Sequence, residues 1–194
     1  MIKAIDTTYK GYKFRSRLEA RFAVFLDALG VNWDYEVEGY TLPVTGNYLP
    51  DFYLERGFFP GESGHYSGPI WVEIKHSEPT VEEINKLREL VTHTETPGVF
   101  FSLSRGRTAN IFEEWYNYGY SAGIGLSIFH HEQYPLDGFY PEPQSLPDYY
   151  WCDPDMRKVL IGWINKVSYN LDIKKIRPAA KAALSARFEF GESG

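Results

Sequence analysis

The chain has 194 residues with an ordinary balance of hydrophobic (43%) and charged (24%) residues, which excludes a largely disordered protein. Its single cysteine, Cys152, excludes an intramolecular disulfide and leaves no thiolate set for a structural zinc site. The formal net charge is −6, a total that is unusual for a nucleic-acid-binding protein.

The charged residues are distributed unevenly along the chain. Residues 1–29 carry six basic and three acidic side chains, residues 30–156 six basic and twenty acidic, and residues 157–187 eight basic and one acidic. Phosphate contacts need local positive charge, so the two basic segments are compatible either with solvated helix faces or with a polyanionic partner. No stretch approaches the ~18 apolar residues of a membrane span, and no apolar leader is present at the start. We therefore expect a soluble, cytoplasmic protein.

The first predicted helix follows Ser16, which has the capping-box spacing to Glu19, and should end at Gly30. Its apolar residues recur at helical spacing and predict one buried face, formed by Leu18, Phe22, Phe25, Leu26 and Leu29. Over residues 31–37 the period changes to two, which predicts a half-buried strand. Residues 48–54 are a second predicted strand, whose Pro50 suggests a sheet edge or a bulge.

Glycine and proline predict a loop over residues 57–69. Residues 70–75 are then a nearly apolar third strand, residues 80–92 a helix with one apolar side (Val81, Ile84, Leu87, Leu90 and Val91), and residues 99–103 a fourth strand. The order αβββαβ predicts an α/β protein in which the helix links two parallel strands. Further on, the pattern suggests a short helix over 111–118, a strand over 125–129, and helices over 155–170 and 178–187.

Two short motifs carry the chemistry. Glu73 and Lys75 are two residues apart on a predicted strand, so both side chains project from the same face. Asp51, on a neighbouring strand, could complete a carboxylate pair. Two carboxylates and a backbone carbonyl suit Mg²⁺, and a lysine beside them suits the negative charge that develops during phosphodiester hydrolysis.

Pro50-Asp51 and Glu73-Ile74-Lys75 resemble the two half motifs of the PD-(D/E)XK nuclease superfamily. The stretch 14–22, with Glu19 on the first helix, is similar to the small phage-type nucleases of that superfamily, which includes the phage endonuclease I group of Holliday junction resolvases. The resemblance covers residues 9–103. It implies a restriction-endonuclease-like core over 1–103, a mixed sheet flanked by helices. An irregular aromatic and proline-rich extension over 104–154 and a basic helical segment over 155–194 would follow.

The resemblance also implies roles for individual residues. Asp51 and Glu73 would bind catalytic Mg²⁺, which Mn²⁺ could replace, with help from the Ile74 carbonyl. Lys75 would activate or position water, and Glu19 would bind a second metal or orient a metal-bound water. The expected activity is a DNA endonuclease, with RNA as the lesser alternative and selectivity for branched DNA and a homodimer left open. Basic residues expected to contact nucleic acid are Lys10, Lys13, Arg15, Arg17, Lys174, Lys175 and Arg177.

Each of these residues also has a structural interpretation. Glu19 could serve only as the N3 residue of a capping box, and the two interpretations are equally supported. Asp51 could belong to a turn after proline, and Glu73 and Lys75 could form an ion pair on an exposed sheet face. The apolar neighbours of the 73/75 pair favour function, because unpaired charge is costly on a central strand. A catalytically silent nuclease-fold module that binds DNA or a protein is the main alternative.

Overall fold

The computed structural model describes residues 7–60, 65–77, 79–103, 112, 124–129 and 173–188. Within those ranges the strands are β1 Thr7–Tyr9, β2 Tyr12–Phe14, β3 Asp34–Tyr35, β4 Tyr40–Leu42, β5 Gly46–Tyr48, β6 Phe52–Pro60, β7 His65–Ile74, β8 Gly98–Leu103 and β9 Ile124–Phe129. The helices are α1 Arg17–Leu29, α2 Val81–Thr94 and α3 Ile173–Ser185.

The central element is a five-stranded mixed sheet in the order β3-β6-β7-β8-β9. Strand β7 pairs with β6 in antiparallel fashion and with β8 in parallel fashion, and the helix between β7 and β8 is α2. β8 pairs antiparallel with β9. The predicted α/β class and the parallel pair linked by a helix are therefore confirmed. Two small hairpins, β1–β2 and β4–β5, lie outside this sheet.

The two faces of the sheet pack against different elements. On one face, alternate residues of β7 and β8 join the core of α1 and α3, including Val72, Ile74 and Phe101. On the other face, Trp71 and Phe100 pack with α2 and the β4–β5 hairpin. Because side chains alternate along a strand, residues 73 and 75 continue the face of Trp71.

The helix boundaries follow from local chemistry. Ser16 is the N-cap of α1, and its hydroxyl accepts the Glu19 amide at 3.2 Å. Gly30 ends α1 with a left-handed φ of 73°, a conformation that glycine adopts without strain. Thr80 and Glu83 form a complete capping box at α2. The predicted buried face of α1 is confirmed, with Leu18 only partly buried. On α2, Val81 is exposed rather than buried, because it occupies the first turn, where the apolar side has not yet reached the sheet.

Three predicted strands and loops differ from the structure. The strand predicted over 31–37 pairs only at Asp34 and Tyr35, because Glu36 has a left-handed φ of 48° that ends the extended backbone. The loop predicted over 57–69 is wrong, since residues 57–60 pair with residues 65–68 and lengthen the β6–β7 hairpin. The strand predicted over 48–54 is wrong at residues 49–51, which link β5 to β6. Pro50 lies in this link, so the bulge predicted at Pro50 is displaced: the irregularity in β6 lies between Leu54 and Gly57.

The last described helix starts earlier than predicted. α3 begins at Ile173 and contains Pro178, whose side chain is exposed, whereas Ala179, Ala180 and Ala183 are buried against α1 in the common core. The strand predicted over 125–129 is confirmed as β9. The helix predicted over 155–170 lies outside the described residues, as does the helix predicted over 111–118 apart from the buried Phe112. Of the irregular extension predicted over 104–154, the structure describes only Phe112 and β9. In the part of the chain described, no helix is long and apolar enough to cross a membrane.

Candidate active site

Glu73 and Lys75 lie at the end of β7, on the sheet face that carries Trp71. Nζ of Lys75 lies 3.1 Å from Oε2 of Glu73, and the pair is shielded, with Glu73 2% and Lys75 24% exposed. The backbone amide of Lys75 donates to the carbonyl of Phe101 at 2.8 Å. The neighbouring strand β8 therefore fixes the backbone beneath this pair, and the predicted shared face is confirmed.

Asp51 lies in the short link between β5 and β6 and is bonded to the 73–74 segment in two ways. The Ile74 amide donates to Oδ2 of Asp51 at 2.9 Å, and the Asp51 amide donates to Oε1 of Glu73 at 3.2 Å. Both carboxylates are buried, Asp51 at 4% and Glu73 at 2% exposure. Two motifs that are 22 residues apart in the sequence are thus joined directly in space.

Arg15 projects its guanidinium into this cluster. Its Nη2 lies 2.7 Å from Oδ1 of Asp51, and its Nε forms an ion pair with Glu36. The side chain is still 53% exposed, so one side of the guanidinium contacts the acids and the other faces solvent. Sequence analysis predicted Arg15 as a phosphate contact; the structure places it as a direct partner of Asp51.

The carboxylate of Glu19 is held by protein donors on both oxygens. The Ser16 hydroxyl donates to Oε1 at 2.6 Å, and the Tyr35 hydroxyl donates to Oε2 at 2.5 Å. The Arg15 amide also donates to Oε2, at 3.2 Å. The predicted capping box is therefore modified, because the reciprocal backbone bond comes from Arg15 instead of Ser16. A metal-binding role for Glu19 remains a prediction.

Burial and the neighbouring acids change the ionisation of Asp51. Burial raises the pKa of Asp51, and the negative charges of Glu73 and Glu19 raise it further. Burial also raises the pKa of Tyr48, with a further contribution from Glu73, to which its hydroxyl is hydrogen-bonded. Burial alone would lower the pKa of Lys75, but the carboxylates of Glu73 and Asp51 outweigh it and the pKa is raised. Lys75 is therefore a stable positive charge within an acidic cluster.

This cluster opens into a cavity of about 600 Å³, a volume typical of ligand sites. Arg15, Asp51, Glu73 and Lys75 line one part of it. The rest of the lining comes from the β4–β5 hairpin with its flanking residues and from α2, namely Gly39, Tyr40, Thr41, Asn47, Tyr48, Leu49, Glu83 and Lys86. Glu83 also lies 3.2 Å from the Lys75 ammonium.

Among the residues whose side chains the structure describes, the other predicted basic residues are not part of this cavity lining. Lys10 forms an ion pair with Asp27 at 2.9 Å, beside a second, smaller depression lined by Tyr12 and Asp27. Lys13 is exposed on β2 and Arg17 is half-buried at the start of α1. Arg177 is exposed on α3, while the side chains of Lys174 and Lys175 lie outside the described part of the chain.

Sequence analysis missed the two tyrosines of the site. Tyr35 was assigned to the core of a strand, and Tyr48 to the start of another, yet their hydroxyls bond to Glu19 and Glu73. The only available signal was their placement: Tyr48 lies three residues before Asp51. A tyrosine hydroxyl that is buried usually finds a hydrogen-bond partner, so a tyrosine next to a predicted acidic site is a candidate partner for that site.

The buried acids offer a donor set that a divalent cation could use. Among the residues that the structure describes, no group of three or more histidine, cysteine, aspartate or glutamate side chains is arranged to hold a metal, and the oxygens of Glu19 point to Ser16 and Tyr35. Asp51 and Glu73 remain as an adjacent pair, and Mg²⁺ is commonly bound by one or two carboxylates. A cation there would relieve the repulsion that raises the pKa of Asp51. Asp51 and Glu73 therefore offer the type of ligand that Mg²⁺ uses, and a Mg²⁺ ion held by these two carboxylates remains a prediction.

Comparison of the chain with protein-family models, curated proteins and solved structures found no match. The functional interpretation therefore depends on the geometry of this site and on the motif resemblance.

Proposed function

We propose that the chain is a divalent-metal-dependent endonuclease that hydrolyses phosphodiester bonds of DNA on a restriction-endonuclease-like core. The observation that carries the proposal is the cross-bonded cluster of Asp51, Glu73 and Lys75 in a cavity of about 600 Å³. A buried aspartate whose pKa is raised by burial and by neighbouring carboxylates, beside a charged lysine, is more typical of a functional site than of a surface ion pair.

Asp51 and Glu73, together with the Ile74 carbonyl, would hold Mg²⁺ or Mn²⁺. When bound, such an ion lowers the pKa of a coordinated water and neutralises charge on the phosphate. The chain itself fixes the two carboxylates: the Ile74 amide orients Asp51, and the Asp51 amide and Lys75 orient Glu73. These contacts leave the acids little freedom to reorganise, which is what preorganised catalysis requires.

Lys75 would place a fixed positive charge next to the attacking water and the phosphate. Its ammonium is held between Glu73 at 3.1 Å and Glu83 at 3.2 Å, so the position of the charge is defined from both sides. Glu19 would act near the same centre, with its carboxylate oriented by Ser16 and Tyr35. Branched-DNA selectivity and a homodimer remain predictions.

One observation favours the alternative of a catalytically silent, nuclease-fold binding module. Each acid of the site already has protein donors, and the Arg15 guanidinium bonds to Asp51 and Glu36 at once. Structural ion-pair networks have this pattern too. In such a module the cluster would stabilise the fold, and the cavity would bind DNA or a protein without turnover.

The test is cleavage of labelled linear, Y-shaped and four-way DNAs, and of RNA, with Mg²⁺ or Mn²⁺. We expect Lys75→Ala and the isosteric Glu73→Gln to lower turnover at least about 10²-fold, the loss seen when a key electrostatic group is removed, and EDTA to stop cleavage. Arg88→Ala, an exposed cation on α2, is the matched control and should cleave normally.

Because removing Lys75 leaves Glu73 buried without its cation, folding of each variant is checked by circular dichroism. Glu73→Gln keeps the shape of the side chain and serves if Lys75→Ala unfolds. DNA binding without any cleavage by the wild-type protein would support the silent module. Cleavage that persists in EDTA, or at the wild-type rate in folded Lys75→Ala, would refute the proposed mechanism.

A further inference from the structure

The β4–β5 hairpin has two chemically different faces. On its inner face Leu42 is buried together with Trp71, Leu87 and Leu90. On its outer face Thr41 and Asn47 lie directly opposite each other in the antiparallel register, and the Thr41 hydroxyl donates to the Asn47 amide oxygen at 3.1 Å. The inner face accounts for the packing of the hairpin, whereas its polar outer face contributes nothing to the core.

That outer face shares a cavity with the acidic cluster. Thr41 and Asn47 line the same cavity as Asp51 and Glu73. Tyr48, the last residue of β5, lies on the inner face, lines the cavity as well and is hydrogen-bonded to Glu73. A strand that reaches the acids through this cavity therefore passes beside the hairpin. α2 adds Lys86 to the same lining, where it forms an ion pair with Glu82 at 2.8 Å.

The position of the hairpin is set by one carboxylate on α2. Oε1 of Glu89 accepts the Val44 amide at 2.8 Å, and Oε2 accepts the Thr45 amide at 2.8 Å and the Thr45 hydroxyl at 2.6 Å. Three donors from one turn converge on a single side chain. Hydrogen bonds to a charged acceptor are stronger than neutral ones, so Glu89 ties the tip of the hairpin to the helix.

We propose that the β4–β5 hairpin is the binding surface for the nucleotides that flank the scissile phosphate, and that Glu89 is the positioning residue that holds it at the acidic cluster. This inference rests on the proposed function and extends it to substrate binding. The hydroxyl of Thr41, the amide of Asn47 and the ammonium of Lys86 suit the sugar and phosphate oxygens of a DNA strand. Contacts of that kind position the backbone and do not read base sequence.

The experiment measures the Kd of a fluorescein-labelled single-stranded DNA by anisotropy, with Ca²⁺ in place of Mg²⁺ so that binding is separated from turnover. Glu89→Ala should raise the Kd about tenfold, the factor that corresponds to about 1.4 kcal/mol, and Thr45→Val and Asn47→Ala should raise it by smaller factors. Glu55→Ala is the control, because it removes an exposed acid with no part in the hairpin.

The Glu55→Ala control is informative because electrostatics and loss of positioning change the Kd in opposite directions. Removing an acid from a chain with a net charge of −6 should strengthen DNA binding slightly by electrostatics alone, so Glu55→Ala should bind as well as wild type or better. In Mg²⁺, Glu89→Ala should raise KM about tenfold and change kcat less than about threefold, because Glu73 keeps its bonds to Asp51 and Lys75.

Two results would overturn the inference alone: a Kd for Glu89→Ala equal to that of Glu55→Ala, or a lower melting temperature with an unchanged Kd. A wild-type protein that binds no DNA would overturn the inference and the proposed function together. A wild-type protein that binds the DNA and leaves it uncut would overturn only the proposed function. In that case the Kd series alone decides whether the hairpin is the binding surface.

Discussion

The hydroxyl of Tyr35 bonds to two groups that the sequence places in different elements. It donates to the Glu19 carboxylate on α1 and accepts the Arg15 amide at 3.1 Å from the segment that precedes α1. Burial raises the pKa of Tyr35, and the bond to Glu19 raises it further, so the hydroxyl stays protonated at physiological pH. Tyr35 therefore connects β3 to the start of α1 at the edge of the acidic cluster.

Replacing Tyr35 with phenylalanine should lower the free energy of unfolding by about 1–3 kcal/mol, because one oxygen of the buried Glu19 loses its hydroxyl donor. Urea denaturation measures the change. Tyr40→Phe is the matched control, since the Tyr40 hydroxyl bonds to Glu38 at the exposed surface, where water can replace the lost partner. Equal losses in the two variants would contradict the role assigned to Tyr35.

Among the residues of the site, the sequence predicted the main acids and the lysine but not their hydrogen-bond partners. Glu73 and Lys75 were identified from spacing, because alternation along a strand fixes which side chains share a face. Asp51 was identified from the Pro50-Asp51 half motif. The bonds of Tyr35, Tyr48 and Arg15 depend on which loops meet after folding. No local period encodes such contacts, so they appear only in the structure.

Gly98 begins β8 at the point where the sheet packs most closely on α2. A Cβ added there would lie 2.7 Å from Cδ1 of Leu87 and 2.9 Å from Cγ2 of Val91. Both distances are shorter than real carbon contacts, and both neighbours are buried side chains. A glycine at this position therefore allows β8 to pair with β7 beneath the helix.

Gly98→Ala should destabilise the protein by about 1–3 kcal/mol, the usual cost of overpacking a core, as measured by the shift of the urea midpoint. Gly39→Ala is the control, because the nearest atoms to its added Cβ lie 4.0 Å away and its stability should stay the same or rise slightly. A stable Gly98→Ala variant would mean that α2 can move away from β8 at little cost.

The hydrogen bonds that Glu89 of α2 accepts from the β4–β5 hairpin should weaken at low pH. Hydrogen bonds from Thr45 lower the pKa of Glu89 below its usual value of 4.5, and the Val44 amide and the charge of His93 contribute in the same direction. A carboxyl with a lowered folded pKa stabilises the fold above its unfolded pKa, and this stabilisation is lost as the pH falls through the folded pKa.

The difference in melting temperature between wild type and Glu89→Gln should therefore be largest near neutral pH and should shrink below about pH 4.5. Thermal unfolding followed by circular dichroism at several pH values measures it. A difference that stays constant down to pH 3 would show that the charge of Glu89 does not contribute.

Helices and strands with a clear apolar periodicity were predicted well. Strands whose extent depends on pairing with distant residues were not. α1, α2 and the strand at 70–75 have clear apolar patterns and local caps. The outer part of the β6–β7 hairpin contains glycine and proline, which predict a loop, but pairing across the hairpin holds residues 57–60 against 65–68. In β3, the left-handed backbone of Glu36 ended a strand that alternation alone would have continued.

In the whole molecule, the C-terminal helix belongs to the same core as the first helix. Ile176, Ala179, Ala180 and Ala183 are buried with Phe22 and Phe25 of α1. The small side chains of α3 allow the two helices to approach closely. Residues more than 140 positions apart in the sequence thus share one hydrophobic cluster, which a sequence pattern cannot reveal.

Ala183→Leu should therefore destabilise the protein by at least about 1–3 kcal/mol, because the alanine is fully buried and the larger side chain must displace α1. Lys181→Leu, at an exposed position of the same helix, should have little effect. Urea unfolding should show one transition in which α3 and the sheet are lost together. Two separate transitions would indicate that α3 folds apart from the rest.

Glu73 lies on a strand that pairs with β6 on one side and with β8 on the other. This double pairing limits which insertions the strand can accept during evolution. β7 pairs with β6 through residues 70–72 and with β8 through residues 71–74, so both ladders fix its register just before the site. A single inserted residue between Ile70 and Glu73 would turn Glu73 and Lys75 toward the phenylalanines beneath α1 and bring apolar side chains into the cavity. Only changes that keep alternate side chains of β7 on their present faces of the sheet can be tolerated there.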